Sequence, residues 1–207
     1  RVDNQPYGTM VGEIFKRAYT VHPYRWMPIG SMDHLNAAQR DEFYNFYKTY
    51  YIPNNAVLSI AGDFDVKETK KMIAAYFGEI KKGKKVEQVS IVEPPLKGEI
   101  RDTVYDDIQL PAVIQAYRIP AQGTDDFYAL EMLTKALSDG ESSRLNKACV
   151  EEKEQAMFVG SFPFPSEHPG LSFNFGIANS GVAPDSLEMT IDAEFAKVQN
   201  ELISEKE

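Results

Sequence analysis

The 207-residue sequence is short of the residues that most often announce chemistry. It has one cysteine, Cys149, and three histidines, His22, His34 and His168. A lone cysteine excludes an internal disulfide framework. Within RLNKACVEEK it sits mid-helix and reads as a packed thiol, since a reactive thiolate needs an electropositive, accessible setting. Three histidines without an H-E-x-x-H or H-x-x-E-H spacing do not form a helical metal pair. A catalytic zinc needs three protein ligands converging at about 2.0–2.2 Å. His22 and His34 are separated by a loop, and that spacing does not bring them together by itself. No apolar run approaches the roughly 20 residues of a membrane-spanning helix. Cations are also scarce, with 22 Lys and Arg against 31 Asp and Glu and a net charge of -9. A phosphate-binding surface needs clustered cations, so nucleic acid is disfavoured as a partner. The single basic run, KKGKK at 81–85, carries glycine and reads as a solvated linker.

What is present is periodic. Met10, Val11, Ile14, Phe15 and Ala18 recur at helical spacing and predict a helix over 8–20. Pro23 pushes His22 into an extended conformation and ends it. A second helix is predicted from Ala37 to about Tyr50, capped by Asn36, with Phe43, Tyr47, Tyr50 and Tyr51 as a core face. The turn PNN (53–55) leads into AVLSIAG (56–62), a predicted buried strand. Asp65 and Glu68 form a capping-box-like pair for a helix that stops at Gly78. Residues 79–98, with Pro94-Pro95, read as the clearest linker. Strands follow at 99–107 and 110–120, a helix at 125–138, then GESSRL opening a helix to Lys153. Two strands at 156–164 and 171–178 and a helix from Pro184 complete the order. The mixture predicts an α+β fold with a largely antiparallel sheet packed with helices.

No nucleophile elbow or phosphate loop emerges. GESS (140–143) lacks the second glycine of G-x-S-x-G and follows a helix, so its plain reading is a loop with a serine cap. Residues alone therefore describe an α+β piece without a catalytic constellation.

Three blocks together resemble something definite: HPYRWMPIG (22–30), LNAAQRDEFYNFYKTYYIPNNAVLSIAGDFD (35–65) and ALSDGESSRLNKACVEEKEQA (136–156). The pattern HPY…PIG, YY.PNNA, a strand ending GD and a later G.SSRL turn resembles the pitrilysin/insulinase family of zinc metallopeptidases, over nearly the whole chain. The resemblance implies repeated α+β units paired like a clamshell around unfolded peptides. The inverted zinc motif H-x-x-E-H and the further glutamate ligand would lie before Arg1. The chain opens on Arg1 inside a polar segment and reads as an excised piece. On this reading residues 1–80 end one unit, 81–98 link, and 99–207 start the next.

The resemblance assigns no catalytic and no metal residue within the chain. It implies no cofactor here and zinc in the parent protein. His22 and Tyr24 match a signature that follows the zinc-ligand helix, with a role in turning the chain and supporting that helix from behind. Gly140, Ser142, Ser143 and Arg144 match a chamber-facing loop that is expanded and glycine-rich in some members and short here. Implied partners are the rest of the parent and its peptide substrate, with self-association of the excised piece through apolar surface left uncovered. The expected activity is peptide proteolysis by the parent, with this chain inactive alone. The alternative is a piece of a zinc-less member serving as a binding or structural subunit, and a third reading is an unrelated interaction domain. Compartment stays open, with a periplasmic or envelope setting expected from acidic bacterial members.

Overall fold

The computed structural model describes residues 5–88 and 90–204. They form an α+β arrangement with one three-stranded antiparallel sheet, and the chain divides into two compact bodies. The first combines 1–20 with 95–207, and the second is Val21–Pro94.

In the first body the sheet runs β1 (Ala112–Ile119), β3 (Gly170–Ala178), β2 (Ala156–Phe164), with β3 central. Side chains alternate between faces along each strand. On one face Val113, Val159 and Ala178 meet α5 (Asp125–Ser138), a π-helix (Asn146–Glu152) and α6 (Pro184–Asn200). Leu137, Leu145, Cys149, Leu187 and Ile191 are fully buried there. Gly176 lets α6 come close, because a Cβ at that position would stand 2.9 Å from Leu187 Cδ2. Thr124 caps α5 through the Phe127 N–H, and Pro184 starts α6 without losing a needed donor.

A polar row crosses this apolar face. Ser161, Asn174 and Gln115 are register partners across the three strands. The Ser161 hydroxyl donates to Asn174 Oδ1 at 2.7 Å, Asn174 Nδ2 donates to Gln115 Oε1 at 3.3 Å, and Gln115 Nε2 donates to Asp192 of α6 at 2.6 Å. A slip of one residue would turn every member to the other face and leave buried polar atoms unmatched, so the row fixes register.

The opposite face carries Phe162, Phe164, Phe173 and Phe175. Phe162 and Phe173 are paired at 5.5 Å between ring centroids, and Phe158 and Phe175 at 5.3 Å. At one end α1 (Met10–Ala18) covers it, with Phe15 lying 5.6 Å from Phe164 and 5.9 Å from Phe173. The Tyr19 hydroxyl donates to Pro169 O at 2.9 Å, and Arg118 donates to Ala18 O. Arg17 pairs with Asp102 at 2.5 Å, which holds that carboxyl below the usual aspartate range.

The second body contains α2 (Met32–Ala37), α3 (Arg40–Tyr50) and α4 (Val66–Phe77), and no strand among its described residues. Its buried residues are His22 and Ile52. Gly83 lies over Ile52, where a Cβ would approach the side chain to 2.7 Å, and its N–H donates to Asn54 Oδ1 at 2.9 Å. The glycine inside the basic run therefore has a packing reason.

Several expectations are corrected. The helix foreseen from Ala37 to Tyr50 is broken: α2 ends at Ala37 and α3 starts at Arg40. Its cap is Gln39, not Asn36, because the Gln39 N–H donates to the Glu42 carboxylate three residues on, at 2.7 Å. The aromatic face of α3 is exposed, not core. The 56–62 run is exposed and pairs with no strand among the described residues. The 99–107 segment is not a strand either. Ion pairs from Arg101 to Glu188 and from Arg17 to Asp102 tie it instead, and Ile100 and Val104 have no layer to enter.

Leu187→Ala is expected to destabilise the first body by about 2–5 kcal/mol, as for a fully buried leucine whose neighbours relax only in part. Urea unfolding followed by circular dichroism measures it, and a loss well under 1 kcal/mol would contradict this account of the core.

Candidate functional site

The HPY corner is built by one carboxylate and one ring. His22 precedes Pro23 and is extended, with φ -70° and ψ 142°. Its Nδ1 accepts from the Tyr24 N–H at 3.2 Å, capping the 3₁₀ turn Pro23–Arg25. An accepting Nδ1 places the ring proton on Nε2. The His22 and Tyr24 rings meet edge-on at 4.3 Å. Glu93 Oε2 accepts from both the Val21 and His22 N–H groups, at 2.9 and 2.7 Å. Charge-assisted bonds of this kind are among the stronger ones. Glu93 lies in the stretch expected to be linker, and the sequence offered no sign of this bond, because its partners are backbone groups 71 and 72 residues away. The only tryptophan, Trp26, is exposed, with the Arg25 guanidinium 5.5 Å from its ring centroid.

His34 lies on exposed α2, where its N–H donates to Ser31 Oγ. Among the described residues no three His, Cys, Asp or Glu side chains stand close enough to hold a metal ion. The donor set a zinc site requires does not fit the residues described, and no step of metal chemistry is assigned to them.

The Gly140–Arg144 loop is closed on itself. Gly140 has φ +81°, the left-handed conformation glycine adopts without strain. The buried Ser143 donates its hydroxyl to Gly140 O at 2.7 Å, and its N–H reaches the same oxygen at 3.2 Å. Asn146 Nδ2 donates to Glu141 O at 2.8 Å. Ser142 is exposed and Arg144 is half-buried. This is the turn chemistry of a helix start, because Ser143 already uses its hydroxyl within the turn.

Beside this loop is a groove of about 400 Å³. Gly140, Glu141 and Asn146 line one side, and Phe158, Phe162 and Phe175 belong to the side formed by the sheet. Gly160 admits the Phe175 ring, since a Cβ there would be 2.9 Å from it. The sequence shows the alternation of Phe173 and Phe175. It does not show that β2 would set Phe158 and Phe162 beside them, because cross-strand register is a tertiary property.

Cys149 is fully buried, and burial pushes its thiol up to about 11, with Glu194 adding to the shift and Lys153 opposing it. At pH 8 about one thousandth is thiolate. Such a thiol is expected to resist Ellman's reagent in the native state and to react at once in denaturant. The unfolded thiol ionises first, so this residue's contribution to stability is present below pH 9 and is lost as pH rises toward 11. Labelling of the native protein as fast as the unfolded one would contradict this.

No helix among the described residues is long and apolar enough to cross a membrane. Comparison with known proteins agrees with the blocks that first stood out. Residues 37–207 match the family model described as Peptidase M16 inactive domain. Over 210 aligned residues, covering all of this chain, the sequence is 28% identical to the zinc protease PqqE of Helicobacter pylori, and 47% of that protein is covered. It is 27% identical over 168 residues to the uncharacterized zinc protease ML0855 of Mycobacterium leprae, covering 77% of this chain and 36% of that one. A crystal structure of a protease from Helicobacter pylori is similar with a TM-score of 0.90 at 28% identity, across 100% of this chain and 51% of that one. A peptidase M16 inactive domain from Pseudomonas fluorescens, 16% identical, shares the fold with a TM-score of 0.73 over 96% of this chain and 48% of its own. The chain thus spans about half the length, or less, of these relatives.

Proposed function

The chain belongs to the Peptidase M16 inactive domain family, and on that premise we propose that it is a non-catalytic portion of a zinc-dependent metallopeptidase that helps to form a peptide-enclosing chamber. Zinc belongs to the parent protein, on residues outside this stretch. In chain order residues 1–80 end one α+β unit, 81–98 connect and 99–207 begin the next, with α1 of the first stretch packed on the later sheet and Glu93 of the connection bound to the HPY corner.

The observation that carries this reading is the phenylalanine-bearing sheet face with its groove beside the Gly140 loop. Phe158, Phe162 and Phe164 are half-exposed there, although a sheet ordinarily covers its aromatic face. An apolar floor with backbone groups and Glu141 at the rim suits an unfolded peptide, which offers side chains of every kind but little shape. Of the turn residues Gly140, Ser142, Ser143 and Arg144, Gly140 lines that groove, and the other three are assigned the role of shaping the turn beside it. His22 and Tyr24 hold a corner of the backbone and are not ligands.

Two outcomes test the proposal. A purified 207-residue chain is expected to leave a quenched fluorescent peptide intact with or without added zinc, while the parent cleaves it and stops with chelator. Chelator-sensitive cleavage by the chain itself would overturn the proposal. A parent that lacks H-x-x-E-H before this stretch would instead make it a binding or structural subunit. The apolar surface left open in the excised chain is also expected to drive self-association, read as a molar mass that rises with concentration in light scattering. A constant monomer mass at high concentration would contradict that expectation.

A further inference from the structure

The chain is acidic, but one stretch of the Val21–Pro94 body is not. Residues 66–85 hold seven lysines against Glu68 and Glu79, a net charge of +5 in a chain of -9, so that the remaining residues carry -14. All seven lysines are exposed, and among the described residues none of their ammonium groups is spent on an ion pair. Like charges held close together repel, and the repulsion is relieved when an anionic surface meets them.

Two features gather these lysines. On α4, Lys67, Lys70 and Lys71 stand three and four apart and form one stripe, while Met72, Ile73 and Tyr76 centre on the other side of the helix. An amphipathic helix turns its apolar side to whatever covers it, which leaves the lysine stripe facing solvent. The helix then ends in a tight turn, where the Gly78 N–H donates to Ala74 O at 2.9 Å and the Ile80 N–H to Phe77 O at 3.1 Å. That turn leaves Lys81 and Lys82 next to the end of α4. At 1.5 Å per residue, about 9 Å of helix separates Lys71 from Phe77, on the order of one Debye length in physiological salt. The KKGKK run is also anchored at its middle. The Gly83 N–H donates to Asn54 Oδ1 at 2.9 Å, and Gly83 lies so close to Ile52 that a Cβ would approach it to 2.7 Å. Its four lysines are therefore carried on a held backbone.

We propose that Lys67, Lys70, Lys71 and the four lysines of KKGKK form a docking surface for an anionic phospholipid bilayer. Clusters of four to eight cations on or beside an amphipathic helix are attracted to acidic headgroups in this way. The composition favours a bilayer over other polyanions. Residues 66–85 contain no arginine, whose planar fork is the usual choice for a fixed phosphate, whereas fluid headgroups ask only for charge. No aromatic residue stands among the lysines of 67–71 or 81–85, so these segments offer no ring on which a base could stack. The polar side of a helix is convex and has no walls to enclose an acidic peptide, but it can lie against a flat surface. The contact is one of lying on the membrane, since no helix among the described residues is long and apolar enough to span it. The inference does not rest on the peptide-chamber reading, which concerns the other body.

Vesicle flotation of the parent protein tests the inference; the apolar surface open in the 207-residue chain would bind lipid by itself. Phosphatidylcholine vesicles with about 30% phosphatidylserine are expected to carry the protein at low salt, and phosphatidylcholine alone is not. Raising the salt from about 0.05 M to about 0.5 M is expected to release it. Lys81→Gln, Lys82→Gln, Lys84→Gln and Lys85→Gln together are expected to weaken binding at least about tenfold. Arginine at the same four positions is expected to keep it, because the charge is kept. Both variants are expected to melt with the wild type, since these side chains are exposed and unpaired. Equal binding to neutral vesicles overturns the inference, as does binding that survives high salt or a neutralised variant that floats like the wild type. Binding to duplex DNA or polyglutamate without binding to vesicles also overturns it and makes the partner a nucleic acid or an acidic polypeptide. Should the fourfold glutamine variant not fold, Lys67→Gln with Lys70→Gln and Lys71→Gln decides the same question. Vesicle binding can fail while the parent still hydrolyses peptide, and can hold where it does not.

Discussion

Apolar side chains leave water only where a second layer covers them, and the two bodies of this chain differ in whether their described residues supply one. Around β1, β3 and β2 the layer is present on one face. Leu137, Leu187 and Ile191 leave water against Val113, Val159 and Ala178, and Gly176 admits α6. At about 25 cal/mol per Å² of apolar surface removed from water, this is the dominant favourable term. The Ser161–Asn174–Gln115–Asp192 row adds little of that energy. It fixes which residues face the layer, and with them the placement of every phenylalanine on the other side.

That other side is where structure turns toward function. Aromatic rings on a sheet face are ordinarily capped, and here α1 caps one end alone through Phe15. Beyond it lies a groove beside a turn in which Ser143 and Asn146 spend their side chains on the Gly140 and Glu141 carbonyls. This is the surface proposed above to face an extended peptide. The family model matched over 37–207 is described as an inactive domain, and Cys149, the single cysteine, is sealed in the core with its thiol protonated.

Much of the first body was legible in the sequence. The periodicity of 125–138 and of 184 onward, and the alternation at 171–178, were local and strong enough to set element type and position. The breaks at Ala38 and Gln39 were missed because a capping box at Gln39 and Glu42 competes with a continuous helix, and periodicity alone does not register a cap. AVLSIAG and EIRDTVYDD have strand composition, yet a strand is completed by its neighbours, and composition does not say whether those lie in the same stretch. Of the candidate site, the HPY corner and the GESSRL turn could be placed from resemblance. Glu93 and the pairing of Phe158 and Phe162 with Phe173 and Phe175 depend on contacts between distant positions, and these became visible only in the fold.

We propose that this stretch is the non-catalytic part of a protein that holds its metal elsewhere. Metal analysis of the parent and of the 207-residue chain, each purified in zinc and then desalted, tests it most directly. Stoichiometric zinc is expected on the parent and none on the chain. Tight stoichiometric zinc on the chain alone would contradict it.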